Sequence, residues 1–327
     1  MSRTSLLLVV CAASLAPVVP VRAEPPATKR DARQTLEKSL PFLEKEGLAW
    51  MNDKKCIACH HGAFLLWSHH EARARGLAVD AKKFDAWSDQ AVKLYLTNQQ
   101  TNEKNKSGAV EAMNLLLGHV VSPAADEKTA ATRKTLAGLL LNAQRDDGHW
   151  NYEGQGQQRA AAEANETTTM WALLALASLD PKDAAYAKAR TKALAWTQKN
   201  TTGQGNEAAV LRLLIEVQFG DAAKVKELTK QLAARQKADG GWNWSKDFKS
   251  DSFATGQSLY ALVRAGVVLD DPGIQKAVQY LIDTQRADGS WYAPSKKPGN
   301  KVNPIAVYWG SAWATIGLAQ TLPKQSD

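Results

Sequence analysis

Cysteine is nearly missing from this chain: 327 residues contain three. That excludes a small scaffold held together by disulfides. Blocks of like charge are missing too. The 41 Lys and Arg are interspersed with 33 Asp and Glu, for a formal net charge of +8, so no basic tract calls for nucleic acid. Outside the extreme N-terminus there is no apolar run long enough to span a bilayer, which argues against an integral membrane protein. With 44% apolar and 23% charged residues, the chain is neither disordered nor of low complexity. What it does have is length for a large core, and 11 tryptophans.

The N-terminus reads as an address. Met1-Ser2-Arg3 is a short basic start, Leu6 to Val19 is apolar, and Val21-Arg22-Ala23 ends in small residues of the kind a signal peptidase reads. Cleavage after Ala23 is expected, followed by a polar linker over residues 24–34 and a periplasmic or secreted location. Lipidation at Cys11 is the alternative, against which stands the bulky Val10. Cleavage removes Arg3, Cys11 and Arg22. The mature chain then carries +6 and two cysteines, Cys56 and Cys59.

The rest of the chain repeats itself. Gln144, Gly148 and Trp150 recur as Gln236, Gly240 and Trp242, and again as Gln285, Gly289 and Trp291. Each set follows an amphipathic helical stretch and precedes a more apolar one, at Thr168–Ser178, Phe253–Ala265 and Ile305–Leu318. Weaker copies occur at Gln99-Gln100 and at Gln198, where Gly203 to Gly205 stands in for the Gly–Trp step. The first hairpin fits the same template: an apolar stripe at Leu36, Leu40 and Leu43, a polar loop over Asn52–Lys55, and a second helix from Gly62 to Gly76. Six helical hairpins follow, with the more apolar second helices expected inside. An open solenoid is the alternative to a closed ring.

These Gln…Gly-x-Trp segments resemble the QW repeats of the terpenoid cyclase and protein prenyltransferase superfamily, and Ser250–Leu262 looks like an inner helix of a squalene-cyclase-like repeat. The resemblance covers residues 35–322, leaving 323–327 as a tail. It implies an all-α fold, an α/α toroid of six hairpins, in which the marker Gln caps a helix end and Trp packs over the loop. The chemistry of that superfamily is not implied. There is no Asp-x-Asp-Asp acid cluster, and Asp146-Asp147 and Asp270-Asp271 read as turn residues. The two mature cysteines are at the wrong end for a prenyltransferase zinc site. Glu163, Glu166, Glu207 and Asp251 fall near the starts of second helices, where they suit the positive helix ends. No catalytic residue is assigned.

The sharp signal is Cys56-Ile57-Ala58-Cys59-His60. Cys-x-x-Cys-His is the attachment sequence of c-type haem. Two thiols three apart can reach two vinyl groups on one haem edge, and the adjacent imidazole then falls under the iron as an axial ligand. Export supports one covalent haem c, on Cys56, Cys59 and His60, in the turn of the first hairpin. His149, in a QW loop, and Met113, on the second inner helix, are the candidates for the sixth iron ligand. His61 is too close to His60 to reach the other face, while His69, His70 and His119 lie too far along their helices. A disulfide between the cysteines or a structural zinc site would use the same spacing.

The function expected is electron transfer or haem redox chemistry with a periplasmic partner. The alternative is a small apolar ligand, such as an isoprenoid, in a central cavity lined by Trp171, Tyr260, Tyr308, Trp309 and Trp313. A polysaccharide module using the same aromatics is a third reading.

Overall fold

The computed structural model describes residues 31–55, 57, 61–101, 108–119, 127–152, 161–246, 248–294 and 303–325. The expected signal peptide lies outside them. Twelve helices follow in order: α1 (Ala32–Lys54), α2 (Ala63–Arg73), α3 (Ala81–Thr101), α4 (Gly108–His119), α5 (Glu127–Asn142) and α6 (Ala161–Ala177). Then come α7 (Ala184–Lys199), α8 (Asn206–Phe219), α9 (Ala222–Ala233), α10 (Ser252–Arg264), α11 (Pro272–Thr284) and α12 (Pro304–Ala319). The described residues include no strand, only one isolated bridge between Trp242 and Asp251. None of their helices is long and apolar enough to cross a membrane.

The first helix starts at Ala32, inside the stretch read as linker, and runs through Asn52, Asp53 and Lys54, which were expected to be a loop. Its cap explains the early start. The Asp31 carboxylate accepts from Gln34 N while the Gln34 side chain accepts from Asp31 N, a reciprocal capping box. Other outer helices start the same way, with Asp183, Asp221 and Asp271 capping α7, α9 and α11. The resulting end of the molecule carries a carboxylate at each of these helix starts.

Even-numbered helices form the inner layer. α2 packs on α4, α4 on α6, α6 on α8, α8 on α10, α10 on α12, and α12 returns to α2. The ring is therefore closed, not an open solenoid, and α1 rests on both α11 and α12. Composition puts each helix in its layer. On α12, every residue from Gly310 to Ala319 is buried, as a helix enclosed by neighbours requires.

The QW loops are the fasteners. Gln144 Nε2 donates to Gly148 O of its own loop and to Ala189 O on α7, both at 2.9 Å. Gln236 does the same to Gly240 O and Gly273 O on α11, both at 2.8 Å. Gln285 bonds Gly289 O at 3.2 Å and Thr35 O on α1 at 2.8 Å. Each amide thus ties one hairpin's loop to the next outer helix, and the last pair joins the end of the chain to its beginning. The marker Gln bonds a carbonyl of its own loop and one of the neighbouring outer helix.

Trp150, Trp242 and Trp291 are at most 1% exposed. Their indole N–H groups donate to the carbonyls of Leu140, Leu232 and Leu281 at 2.7–2.9 Å, satisfying the last turns of α5, α9 and α11. Their backbone N–H groups donate to Thr169, Thr255 and Ser311 on the inner helices.

The loop between α7 and α8 is fastened differently. Gln198 is exposed, so this weaker copy does not work as a marker. The buried Glu166 carboxylate of α6 instead accepts from Gly203 N at 2.7 Å and pairs with Arg212 of α8.

Replacing Gln285 by Leu removes the donor to Gly289 O and the tie to Thr35 O, and should cost about 1–3 kcal/mol. Gln198→Leu, at an exposed site, should stay within about 0.5 kcal/mol of the parent. Urea denaturation of the two variants compares them directly.

Candidate functional site

Every outer-to-inner connection emerges at the same end of the ring, because each joins the C-terminus of an outer helix to the N-terminus of an inner one. The turn between α1 and α2 is one of these. Cys56, Cys59 and His60 lie outside the described residues, but the anchors on both sides of them are described. Lys55 closes α1 in a left-handed conformation, φ 49°. Ile57 is 2% exposed, and its carbonyl accepts from Gly62 N at 3.0 Å. A Cβ at Gly62 would meet Met51 Sδ at 3.0 Å, so the turn sits close on α1.

His61 is buried between two rings. Trp50 of α1 stacks on one face at 4.3 Å and Tyr308 of α12 on the other at 4.0 Å, with interplanar angles of 10° and 17°. The Tyr308 hydroxyl donates to His61 O at 3.1 Å.

Next to this stack lies an aromatic shelf. Phe64 is 5.9 Å from Trp309, Trp309 is 5.0 Å from Phe253, and Phe253 is 6.1 Å from Trp244. Trp309 is half-buried, yet its Nε1 is enclosed and has no hydrogen-bond partner. Deeper in the ring the aromatics pack on one another. Trp313 contacts Trp67 at 5.1 Å, Trp171 at 5.6 Å and Tyr260 at 6.0 Å. Of the five aromatics expected to line a central cavity, Trp171, Tyr260 and Trp313 pack together at this level, Tyr308 lies in the stack with His61 and Trp309 on the shelf. Two polar groups in this layer lack partners, Trp313 Nε1 and the Gln257 amide. Gln257 falls between Phe253 and Tyr260 at helical spacing, on the same face of α10.

The two candidate sixth ligands differ in what holds them. His149 Nδ1 donates to Asp147 Oδ1 at 2.6 Å, and its Nε2 accepts from the Asn151 amide at 2.8 Å. Its ring stacks on Trp196 of the outer helix α7, centroids 5.1 Å apart. Both nitrogens are therefore engaged at the outer rim. Met113 is 4% exposed within the core on α4, and its thioether needs no hydrogen bond. The described residues hold no group of three His, Cys, Asp or Glu placed to bind a metal.

The acids near the inner helix starts are each occupied. Asp251 caps α10, accepting from Ala254 N and Trp244 N at 2.9 Å. Burial pushes its carboxyl up to about 6 against those bonds. Glu207 accepts from the Trp171 indole at 3.0 Å, and Glu163 from Gly205 N at 3.2 Å. Glu163 and Glu166 both reach across from α6 to the loop before α8, at Gly205 N and Gly203 N.

No family model matches this chain, and no curated protein does either. Solved structures match its fold. One is described as a possible member of the GH105 family from Salmonella enterica, with TM-score 0.61 and 14% identity over 94% of this chain and 99% of that one. A glycosyl hydrolase family 88 protein from Bacteroides vulgatus gives TM-score 0.61 and 13% identity, covering 90% of this chain and 99% of its own. A type II terpene cyclase from Scytonema, in complex with geranylgeranyl dihydroxybenzoate, gives 0.55 and 14%, covering 89% and 99%. The fold is thus an α/α toroid shared by glycosyl hydrolases and terpene cyclases. Such identities carry fold and not chemistry.

His69, farther along α2, illustrates the dry interior. Its Nδ1–H donates to Leu65 O at 2.9 Å and its ring meets Trp87 edge-on at 5.2 Å. Burial lowers its pKa to about 4, the Leu65 bond opposing only in part. The folded value lies below the ordinary 6.5, so the unfolded chain takes up the proton first. Stability is lost as pH falls from about 6.5 towards 4, by about 3 kcal/mol from this group. The gap in melting temperature between the parent and His69→Asn should narrow from pH 7 to pH 5. A gap that does not change over that range would contradict a neutral, buried His69.

Proposed function

We propose that this chain is an exported carrier of one covalently attached c-type haem, serving electron transfer with a partner outside the cytoplasm. The observation that carries the reading is the Cys56–His60 motif in the sequence connecting α1 and α2, next to the buried His61. The donor set fits the group: two thiols at the attachment spacing and an imidazole directly after them. Cys56 and Cys59 would form the thioethers and His60 would be an axial ligand. The haem, once bound, supplies a one-electron couple.

The surroundings fit as well. Phe64, four positions after His60 in the sequence, begins the aromatic shelf with Trp309 and Phe253. The enclosed Trp309 N–H lacks an acceptor, and the inner-helix N-termini direct partial positive charge to this mouth. Both suit the carboxylates of a haem. For the sixth position, Met113 is free to act without giving up a hydrogen bond, whereas His149 would first have to release Asn151. The basic and apolar N-terminus, expected to be cut after Ala23, would bring the chain to the compartment where such attachment occurs.

A second reading is a small ligand inside the ring. The unpartnered Gln257 amide and Trp313 N–H favour it, and the packed aromatics around them leave it little room. Organic extraction and mass spectrometry of the purified protein test that reading, which requires a recurrent bound compound.

Expression beside a c-type haem maturation system should yield a coloured protein whose denatured mass exceeds the bare mature chain by one haem. Replacing both Cys56 and Cys59 by Ala should abolish the mass gain. His60→Ala should keep covalent haem but change its absorption bands. A colourless parent chain of unshifted mass under those conditions ends the proposal.

A further inference from the structure

The outer wall of the ring is open beside α9. That helix packs on α8 and α10, and between it and the turn from α10 to α11 runs a groove of about 560 Å³, continued by a second of about 280 Å³. Lys226, Thr229 and Val267 line both, so the two form one channel. Its size is that of a small-molecule site, about 300–1,000 Å³. The sequence of α9 accounts for the opening. Ala222, Lys226, Thr229, Lys230 and Ala233 recur at three- and four-residue spacing on one face of the helix, and none of them is large and apolar. Leu228 and Leu232, which reach the core, lie on another face.

The chemistry changes along the channel. Near the start of α9 it holds Lys226 and Arg264, with Lys230 one turn farther on. Among the described residues none of these three cations makes an ion pair, and Arg264 covers the ring of Tyr260, 5.9 Å from its centroid. Two of the lining acids, Asp221 and Asp271, cap α9 and α11, where the positive helix ends offset their charge. The third, Glu216, lies against Gly220. Three cations thus face one carboxylate that caps nothing. Thr229 is unusual as well. Helical threonines commonly donate to the carbonyl four residues back, as Thr135, Thr191 and Thr284 do, whereas the Thr229 hydroxyl is enclosed and has no partner. A rotation about χ1 turns it to the channel. Farther along, Leu262, Trp242 and Ile274 supply an apolar floor. Beside Val267, Val268 and Leu269 are 64% and 39% exposed.

We propose that this channel binds a free long-chain carboxylate, its head group among Arg264, Lys226 and Thr229 and its alkyl chain running along α9 over Leu262 and Ile274 to Ala233. A cationic, hydrogen-bonding end and an apolar end match the two parts of such a molecule. From Ala222 to Ala233 the helix offers about 16 Å of wall. The site is on the outside of the ring, so it rests neither on the haem motif nor on a ligand in the central layer.

Calorimetric titration of the purified, delipidated protein with laurate tests this, with dodecanol and octanoate as comparisons below their aggregation limits. Laurate should bind at one site, and dodecanol, which lacks the charge, about tenfold more weakly. Arg264→Gln and Lys226→Gln should each weaken laurate severalfold. Ala233→Trp, at an exposed position, blocks the far end; it should weaken laurate about tenfold and leave octanoate unchanged, a pattern that misfolding does not produce. Circular dichroism of each variant confirms the helices. Laurate bound no better than dodecanol, or bound equally by the parent and all three variants, would overturn the proposal. So would absence of laurate binding, including the case in which the protein is retained by phosphatidylglycerol vesicles, since that surface would then answer to a membrane and not to a free acid.

Discussion

The architecture depends on a single repeated bond pair: a glutamine amide that donates at once to its own loop and to the next outer helix. The bonded carbonyls are one in the glycine loop and one in the first turns of the next outer helix. One Nε2 that donates to both fixes the spacing of adjacent hairpins. At Gln285 the same bond pair reaches Thr35 on α1, so the device that links neighbours in the array also closes it. The close approach needs a glycine in each loop. Gly148, Gly240 and Gly289 have φ of 104°, 88° and 88°, and a Cβ at any of them would sit within 2.5 Å of a lysine carbonyl on the adjoining helix.

Closure determines what the interior can be. Six parallel inner helices surround an axis too wide for aliphatic side chains to fill, and tryptophans from α2, α6 and α12 meet there with Tyr260. Their plug separates the two ends of the ring. One end gathers the inner-helix N-termini above an aromatic shelf with an unpartnered indole N–H. The QW loops also lie against the first turns of the next outer helices, where Gln236 bonds Gly273 O beside the Asp271 cap. The glycosyl hydrolases and terpene cyclase of similar fold show that one ring of helices accommodates unrelated chemistries.

Much of the fold was legible from local pattern. The Gln–Gly–Trp spacing located three fasteners correctly because every residue in them answers a local need: a carbonyl to cap, a positive φ, an indole to bury. The loop after α7 broke the rule. There the fastening depends on Glu166 and Arg212, 46 residues apart in sequence, and no spacing links them. The extension of α1 through Lys54 was missed because a polar run reads as a loop, although it continues a helix whose other face is buried at Met51. At the candidate site, His149 and Met113 looked comparable as ligands. Their surroundings differ in ways the sequence does not show: Asp147 and Asn151 bond the two His149 nitrogens and Trp196 stacks on its ring, while Met113 is buried in the core.

From its order of residues alone this chain determined six helical hairpins, the loops that fasten them and the five-residue motif in the first, because each is encoded within a few neighbouring positions. The tertiary structure decided that the ring closes, that aromatic side chains fill its middle, and that a tyrosine from the last helix grips the residue beside the motif in the first turn. These contacts join residues some 250 positions apart. They exist only when all six hairpins are in place, and so no local pattern can announce them.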